Sequence, residues 1–385
     1  MIPLKHDSRG GALPALALIL ALAAGLVFLA MSLPPQRLSA APAGASATTQ
    51  QAGDLDNYKK PLDQATDKAL EYLARQQDKD GCWPASGLNR NTAVASLAVM
   101  AFMAKGHTPG SGPYGQVMNK GIDFVLSCRQ ANGMLVSASS HGPMYEHCIS
   151  TLMLSEASGM VDAQRQTRLD QALAGALKNI IAAQQVKKDA AYAGGWRYQI
   201  NSPDSDISCT GWALMALRSA RNNGAAVPAE CIDKAVGFVL RCRDSAYANA
   251  PAPKEGVGFC YQPGSGPGLA RTGTALLCLE LCGKHRCPQA LDGGEWILSH
   301  PPAAVGGEYF YYGLYYTSQA MFQLGDSHWH RYAPRMYDML LKAQKPDGSF
   351  PQGGSSESAA GVNYATAMAV LAMSVECCQL PIYQR

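Results

Sequence analysis

Charge is scarce in this sequence. Of 385 residues, 16% are Asp, Glu, Lys or Arg, and the formal net charge is +3. So small an imbalance, with no basic run interleaved with aromatics, excludes a nucleic-acid partner. Metal-site spacing is missing as well. Cys282-x-x-His285-x-Cys287 has no second Cys/His pair at the distance a zinc site needs. No metal or other cofactor is expected. What is abundant is apolar material, 47% of the chain, which suits a large buried core and not a disordered one. There are twelve cysteines, at 82, 128, 148, 209, 231, 242, 260, 278, 282, 287, 377 and 378. In an exported body some of them can pair as disulfides, whereas those inside apolar helical patterns read as buried free thiols.

The N-terminus reads as a targeting element. Lys5 and Arg9 precede an uncharged stretch from Gly10 to Gln36, whose centre from Leu13 to Leu33 is rich in Leu, Ala, Ile and Val. At ~1.5 Å per residue that centre spans roughly 30 Å, the thickness of a bilayer core. Residues 1–11 are therefore expected in the cytoplasm, 12–34 as a transmembrane anchor, and 35–56 as a flexible linker rich in Ala, Ser, Thr and Gln. The basic flank places the body, 57–385, on the extracytoplasmic (periplasmic) side. Small residues at Ala41-Pro42-Ala43 leave open a cleaved signal and a secreted body.

The body repeats. One amphipathic helix type recurs with a Gln-rich end and then a Gly turn. The clearest copy, Ala69 to Trp83, reads ALEYLARQQDKDGCW. Further copies start at Gly121, Ala176, Ala235, Gly294 and Met339. The turn glycines read as 81, 133, 195, 258, 307 and 348, at uneven spacing that puts insertions in the loops. Each turn leads into a second, more apolar helix: 91–105, 145–160, 206–221, 270–283, 313–324 and 364–378. Alternation of this kind predicts two concentric layers, an amphipathic outer set and an apolar inner set around a central cavity. With no polar terminal cap in view, a closed ring is expected in place of an open solenoid. The fold class is all-α, an α/α toroid of six outer/inner helix pairs.

These repeats resemble those of squalene/hopene cyclases and protein prenyltransferase β subunits, over about Leu62 to Gln379. The resemblance implies a toroid, and it implies motifs that can be checked. Hopene-type cyclases carry Asp-x-Asp-Asp-Thr at the start of an inner helix, with an acid that protonates the substrate. At that place stands Pro203-Asp204-Ser205-Asp206-Ile207-Ser208: Asp204 and Asp206 match, and Ile207 replaces the last Asp. Asp206, assisted by Asp204, is the candidate catalytic acid. The competing reading is helix N-capping by Asp206 or Ser208. Prenyltransferases bind zinc through Asp-x-Cys and Tyr-x-His. Here Ser208 stands where the Cys would be, and Cys209 is displaced by one position, ~100° around a helix. Tyr145-Glu146-His147 lies on an earlier helix. No Gly-Cys-Gly-Glu-Gln stretch exists for thioester chemistry.

Polar and aromatic residues recur where the inner helices begin, and they are expected to converge on one mouth of the ring. The candidate ligand-binding residues are Tyr145 and His147, then Trp196, Arg197 and Tyr198, then Arg271, then Tyr312, Tyr315 and Tyr316, then Asn363 and Tyr364. Arg197 is placed to pair with Asp204 or Asp206, which would keep them ionised. The favoured function is binding of an apolar or isoprenoid small molecule, or of a protein partner, at this aromatic and acidic mouth. A terpene-cyclase-like enzyme and a structural envelope protein are the rivals.

Overall fold

The computed structural model describes residues 45–137, 142–248, 251–302, 304–307 and 309–384. The expected anchor over 12–34 lies outside them, and no described helix is long and apolar enough to cross a membrane. Nearly all described residues belong to one compact unit, Thr49–Arg385.

That unit is helical, in pairs. Helices α1 (Ala45–Gln76) and α2 (Thr92–Ala104) flank the two-residue strands β1 (Pro84–Ala85) and β2 (Asn89–Arg90). Then come α3 (Gly115–Ser127), α4 (Pro143–Ala157), α5 (Ala163–Gln185), α6 (Ile207–Asn222), α7 (Ala229–Arg241) and α8 (Leu269–Leu281). The last pairs are α9 (Pro288–Ser299) with α10 (Phe310–Leu324), and α11 (Asp326–Ala343) with α13 (Gly361–Met373), the short α12 (Ser355–Ser358) lying between. Helix α1 starts inside the stretch expected to be linker. After Pro42 that stretch contains Ala, Ser, Thr and Gln with no proline until Pro61, so nothing in it forbids a helix.

The two helix types differ as the pattern requires. All thirteen residues of α2 are buried, whereas α7 buries Cys231, Ile232, Ala235, Val236, Phe238 and Val239 and leaves Glu230 and Lys234 in solvent. The inner helices pack in the order α2, α4, α6, α8, α10, α13, and α13 returns to α2. The ring is therefore closed. Asn363 Nδ2 donates to Pro84 O at 2.8 Å, and the amide of Gly87 donates to Ala359 O at 2.8 Å. On the outer layer Gln344 Nε2 donates to Ala65 O (2.7 Å) and Arg75 Nη2 to Asp347 O (3.0 Å).

The repeat motif has a physical reason. The Gln at the end of an outer helix ties its own turn to the next outer helix. Gln77 Nε2 donates to Gly81 O and Val117 O, Gln184 Nε2 to Gly194 O and Cys231 O, and Gln344 Nε2 to Gly348 O and Ala65 O. The left-handed residue of each turn is Gly81, Gly133, Gly194, Gly256, Gly306 or Gly348. Three of these precede the expected Gly195, Gly258 and Gly307 by one or two positions. Gly195 and Gly258 are needed for a different reason: a Cβ there would stand 2.7 Å from Phe238 and from Trp296 respectively. The large residue after the turn is buried, and its backbone amide is caught by the next inner helix. Trp196, Phe259 and Phe350 donate to the hydroxyls of Thr210, Thr272 and Thr366 at 2.9–3.1 Å. Leu135 donates instead to His147 Nδ1 at 3.0 Å.

A segment the repeat pattern did not contain closes the end of the ring where the inner helices finish. Leu380, Ile382 and Tyr383 turn inward and are buried. The amide of Ile382 donates to Glu156 Oε2 at 3.0 Å, and Tyr383 OH meets Tyr315 OH at 2.6 Å. Burial pushes the Glu156 carboxyl up to about 7, against the hydrogen bonds from Ser219 and Ile382. A carboxyl whose folded value is raised contributes most below its ordinary value of 4.5 and loses that contribution as pH rises through about 7. Glu156→Gln keeps the acceptor without the charge. Relative to wild type it is expected to gain on the order of 2 kcal/mol between pH 4.5 and 8, measured as thermal midpoints of both chains across that range. A constant difference would mean that Glu156 does not titrate there.

Candidate functional site

Where the inner helices begin, the ring encloses a cavity of about 500 Å³. One arc of its wall is apolar: Ala93, Val94 and Leu97 from α2, with Ile149 from α4. The rest is dominated by aromatic rings, Tyr145, Tyr198, Trp212, Tyr261, Tyr309, Tyr312 and Tyr364. Its charged members are Arg271, Glu146 and Glu357. Of the residues expected at the mouth, Tyr145, Tyr198, Arg271, Tyr312 and Tyr364 line this one space.

Other expected residues serve the frame. His147 is buried with both ring nitrogens in use. Nδ1 accepts from the Leu135 amide, so Nε2 carries the proton that it shares with Ala176 O at 3.1 Å. Burial lowers its value to about 4, which keeps it neutral. It occupies the place that threonine holds in other repeats and does not line the cavity. Trp196 Nε1 donates to Ile180 O at 2.7 Å, which fixes the ring between α5 and its turn. Asn363 is used in ring closure. Tyr315 and Tyr316 sit one layer deeper, against Trp212: Tyr315 stacks on the indole at 5.5 Å and 10°, and Tyr316 meets it edge-on at 5.3 Å.

Of the acidic pair, Asp206 has the geometry of a cap, and Asp204 meets Arg197 and accepts from Gln262 Nε2 at 3.3 Å. Asp206 precedes α6 in extended conformation, and its Oδ1 accepts from the amides of Ser208 (2.9 Å) and Cys209 (2.8 Å). Its Oδ2 lies 3.8 Å from Arg197 Nη1. Arg197 Nε also lies 3.3 Å from Asp204 Oδ2, and the guanidinium stands over the rings of Tyr198 (4.7 Å) and Tyr261 (5.5 Å). Burial pushes the Asp206 carboxyl up to about 6, opposed by the Cys209 amide and by Arg197. Asp206 is wholly buried and is not part of the cavity wall. Of the two readings open at the sequence level, N-capping is the one the geometry displays.

Two glutamates do reach the cavity, and both are tied to helix starts. Glu146 Oε2 accepts from the Thr92 amide (3.1 Å), the Thr92 hydroxyl (2.8 Å) and the Ser137 amide (3.0 Å), and its Oε1 from the Ser137 hydroxyl (3.2 Å). Glu357 accepts from the amides of Tyr312 (2.8 Å) and Tyr311 (3.3 Å) at the start of α10, and burial raises its carboxyl above the ordinary value. The wall also carries donors that no carboxylate takes. One of them is Trp212 Nε1, buried without a hydrogen bond among the described residues, while the Tyr312 hydroxyl lies beside those of Ser208 and Tyr316.

The sequence reading missed Trp212, Tyr261, Tyr309 and Glu357. A usable signal existed for one of them: Trp212 lies four residues after Ser208, and residues four apart share a helix face. Among the described residues no group of three His, Cys, Asp or Glu is placed to hold a metal, and all twelve cysteines are free thiols, seven of them buried, including Cys148, Cys209, Cys231 and Cys278 within helices of the ring.

No family model and no curated protein matches the chain. Solved structures do. The GH76A α-1,6-mannanase of Salegentibacter sp. HEL1_6 superimposes with a TM-score of 0.60 at 10% identity, over 83% of this chain and 99% of the mannanase. The fold is an α/α toroid. The same mannanase is known as an inactive variant, with two neighbouring aspartates changed to asparagine, in complex with α-1,6-mannotriose. The family 76 mannosidase Bt3792 of Bacteroides thetaiotaomicron VPI-5482 gives a TM-score of 0.56 at 9% identity, over 84% of this chain and 99% of its own. A D-mannose isomerase gives 0.53 at 12%, over 83% and 98%. At such identities the toroid alone is shared. The sequence resemblance to cyclases and prenyltransferases is thereby upheld at the level of the ring and not of that superfamily.

Proposed function

We propose that this toroid is a binding protein whose central cavity takes a small carbohydrate. The observation that carries this reading is the wall itself: aromatic rings around a cavity of about 500 Å³, with Trp212 Nε1 buried beside it and unpartnered. Sugar rings present apolar C–H faces to aromatic planes and hydroxyl oxygens to buried donors. An unpaired buried donor costs about 1–3 kcal/mol, which a ligand oxygen would recover. The mannose-directed proteins on the same toroid add support for this ligand class.

Binding is favoured over hydrolysis by the state of the acids. Glycoside hydrolysis needs two carboxyl groups that can exchange protons or attack the sugar. The carboxylates of the wall, Glu146 and Glu357, have their oxygens committed to helix-start amides. The chain contains no pair of adjacent aspartates of the kind changed in the inactive mannanase. Acid catalysis by Asp206 is disfavoured because Oδ1 caps α6 and Oδ2 faces Arg197.

The apolar arc of Val94, Leu97 and Ile149 favours a second reading, an isoprenoid or similar apolar ligand. Titration of the full chain with α-1,6-mannotriose and with farnesol, followed by tryptophan fluorescence, separates the two. Mannotriose is expected to change the emission of Trp212 and farnesol to leave it unchanged. Trp212→Phe keeps a ring and removes the N–H, and is expected to weaken the sugar about tenfold. Response to farnesol alone would favour the apolar reading, and response to neither would leave a structural role. We place the body outside the cytoplasm on the strength of the apolar run behind Lys5 and Arg9.

A further inference from the structure

The cavity wall changes character from rim to floor. Its polar members sit at the rim. Every wall residue with a side-chain hydroxyl, amide or charge, from Asn91 and Glu146 to Arg271, Tyr312 and Glu357, lies in the first turn of an inner helix or in the segment that leads into one. Tyr309, directly before α10, is the most exposed of them at 49%. Only three wall residues come from beyond the first turn: Leu97 of α2, Ile149 of α4 and Trp212 of α6. They follow the first residues of their helices, Thr92, Pro143 and Ile207, by five or six positions. At ~1.5 Å per residue that sets them roughly 8 Å below the helix starts. None carries a hydroxyl or a charge, and each is at most 5% exposed.

The apolar strip on α2 and α4 is continuous from rim to floor. Val94 lies one turn above Leu97 on the same face of α2. Between the two helices Ser96 Oγ donates to Ser150 Oγ at 3.2 Å, which brings the neighbouring Leu97 and Ile149 to one level of the wall. A free sugar matches this strip badly. Hydroxyls surround a sugar ring, and each one pressed against Leu97 or Ile149 would lose its water and gain no partner, at roughly tenfold in affinity. The rim has the opposite character, with rings for the C–H faces of a sugar and phenol hydroxyls for its oxygens.

We infer that the ligand is a glycoside, a sugar bearing an aliphatic chain, and that it enters chain first. The chain descends along Val94 onto Leu97 and Ile149, and the sugar stays among the tyrosines of the rim. The inference rests on the carbohydrate-binding reading and deepens it. A polar head above and an apolar tail below match the two levels of the wall, so neither part of the ligand is buried against the wrong surface.

Calorimetric titration of the full chain with methyl, butyl and hexyl α-D-mannoside, beside hexan-1-ol and α-1,6-mannotriose, tests it. Each buried methylene strengthens binding about fourfold, so butyl mannoside is expected to bind at least about tenfold more tightly than methyl mannoside. Hexyl mannoside should bind more tightly again, and hexan-1-ol far more weakly than hexyl mannoside. Ile149→Thr sets a hydroxyl on the floor in a side chain of similar shape, and should cut the ratio of hexyl to methyl affinity about tenfold. If that variant does not fold, the chain-length series on the wild type decides alone. Equal binding of the three mannosides, or a ratio that Ile149→Thr leaves intact, would overturn the chain-first ligand while the carbohydrate reading stands. Hexan-1-ol binding as tightly as hexyl mannoside, or failure of every sugar including mannotriose, would overturn both.

Discussion

Gly348→Ala is expected to cost about 3 kcal/mol of stability and roughly 4 °C of thermal midpoint, although the residue lies in a surface turn. Two effects add. Gly348 has φ +91°, where a side chain costs roughly 1–2 kcal/mol. A Cβ there would also stand 2.2 Å from Lys68 O and 2.7 Å from its carbonyl carbon, backbone atoms of α1 that cannot rotate aside. The turn after the last outer helix thus rests on the first outer helix, 280 positions earlier (348 − 68). Gly224 separates the two effects, because its φ is +86° and nothing lies within 4 Å. Gly224→Ala should cost only about 1 kcal/mol. Thermal unfolding followed by circular dichroism measures both. Equal losses would mean that α1 and α11 do not close the outer ring as described.

Glu146→Ala is expected to be the most damaging single change, about 4 kcal/mol. Its four donors include the backbone amides of Thr92 and Ser137. Those amides are buried and have no replacement acceptor, and each unsatisfied group costs roughly 1–3 kcal/mol. Glu146→Gln keeps one carbonyl oxygen and should lose about half as much. Denaturant unfolding of the two variants supplies the comparison. A harmless Glu146→Ala would show that water replaces the carboxylate at the start of α2.

These two residues show what the sequence made legible. The ring was readable because its parts are local: a Gln, a Gly turn and a large apolar residue recur with the outer helices, and α2, α4, α6 and α8 fall within a few residues of their expected bounds. The exact left-handed glycine was not readable in Gly194-Gly195, because one glycine serves backbone conformation and the other close packing. Aromatics at the starts of inner helices were legible by the same recurrence, hence Tyr145, Tyr312 and Tyr364. The roles of the polar residues were not, because their partners are distant in sequence. Glu146 stood in plain view in Tyr145-Glu146-His147, but its partner Thr92 lies 54 positions away. His147 looked like a cavity residue because nothing local shows that Leu135 and Ala176 use both its nitrogens. The inward turn at Ile382 has no repeat to announce it, and only the buried Glu156 explains it.

The central claim is that the toroid binds a small carbohydrate in its cavity and leaves it intact. Native mass spectrometry of the purified chain after prolonged incubation with α-1,6-mannotriose tests this most directly, since it reports the complex and the ligand's fate together. The account predicts one intact mannotriose per chain, reduced in Trp212→Phe, with no mannose or mannobiose released. Release of shorter sugars, or absence of any complex at millimolar ligand, would contradict it.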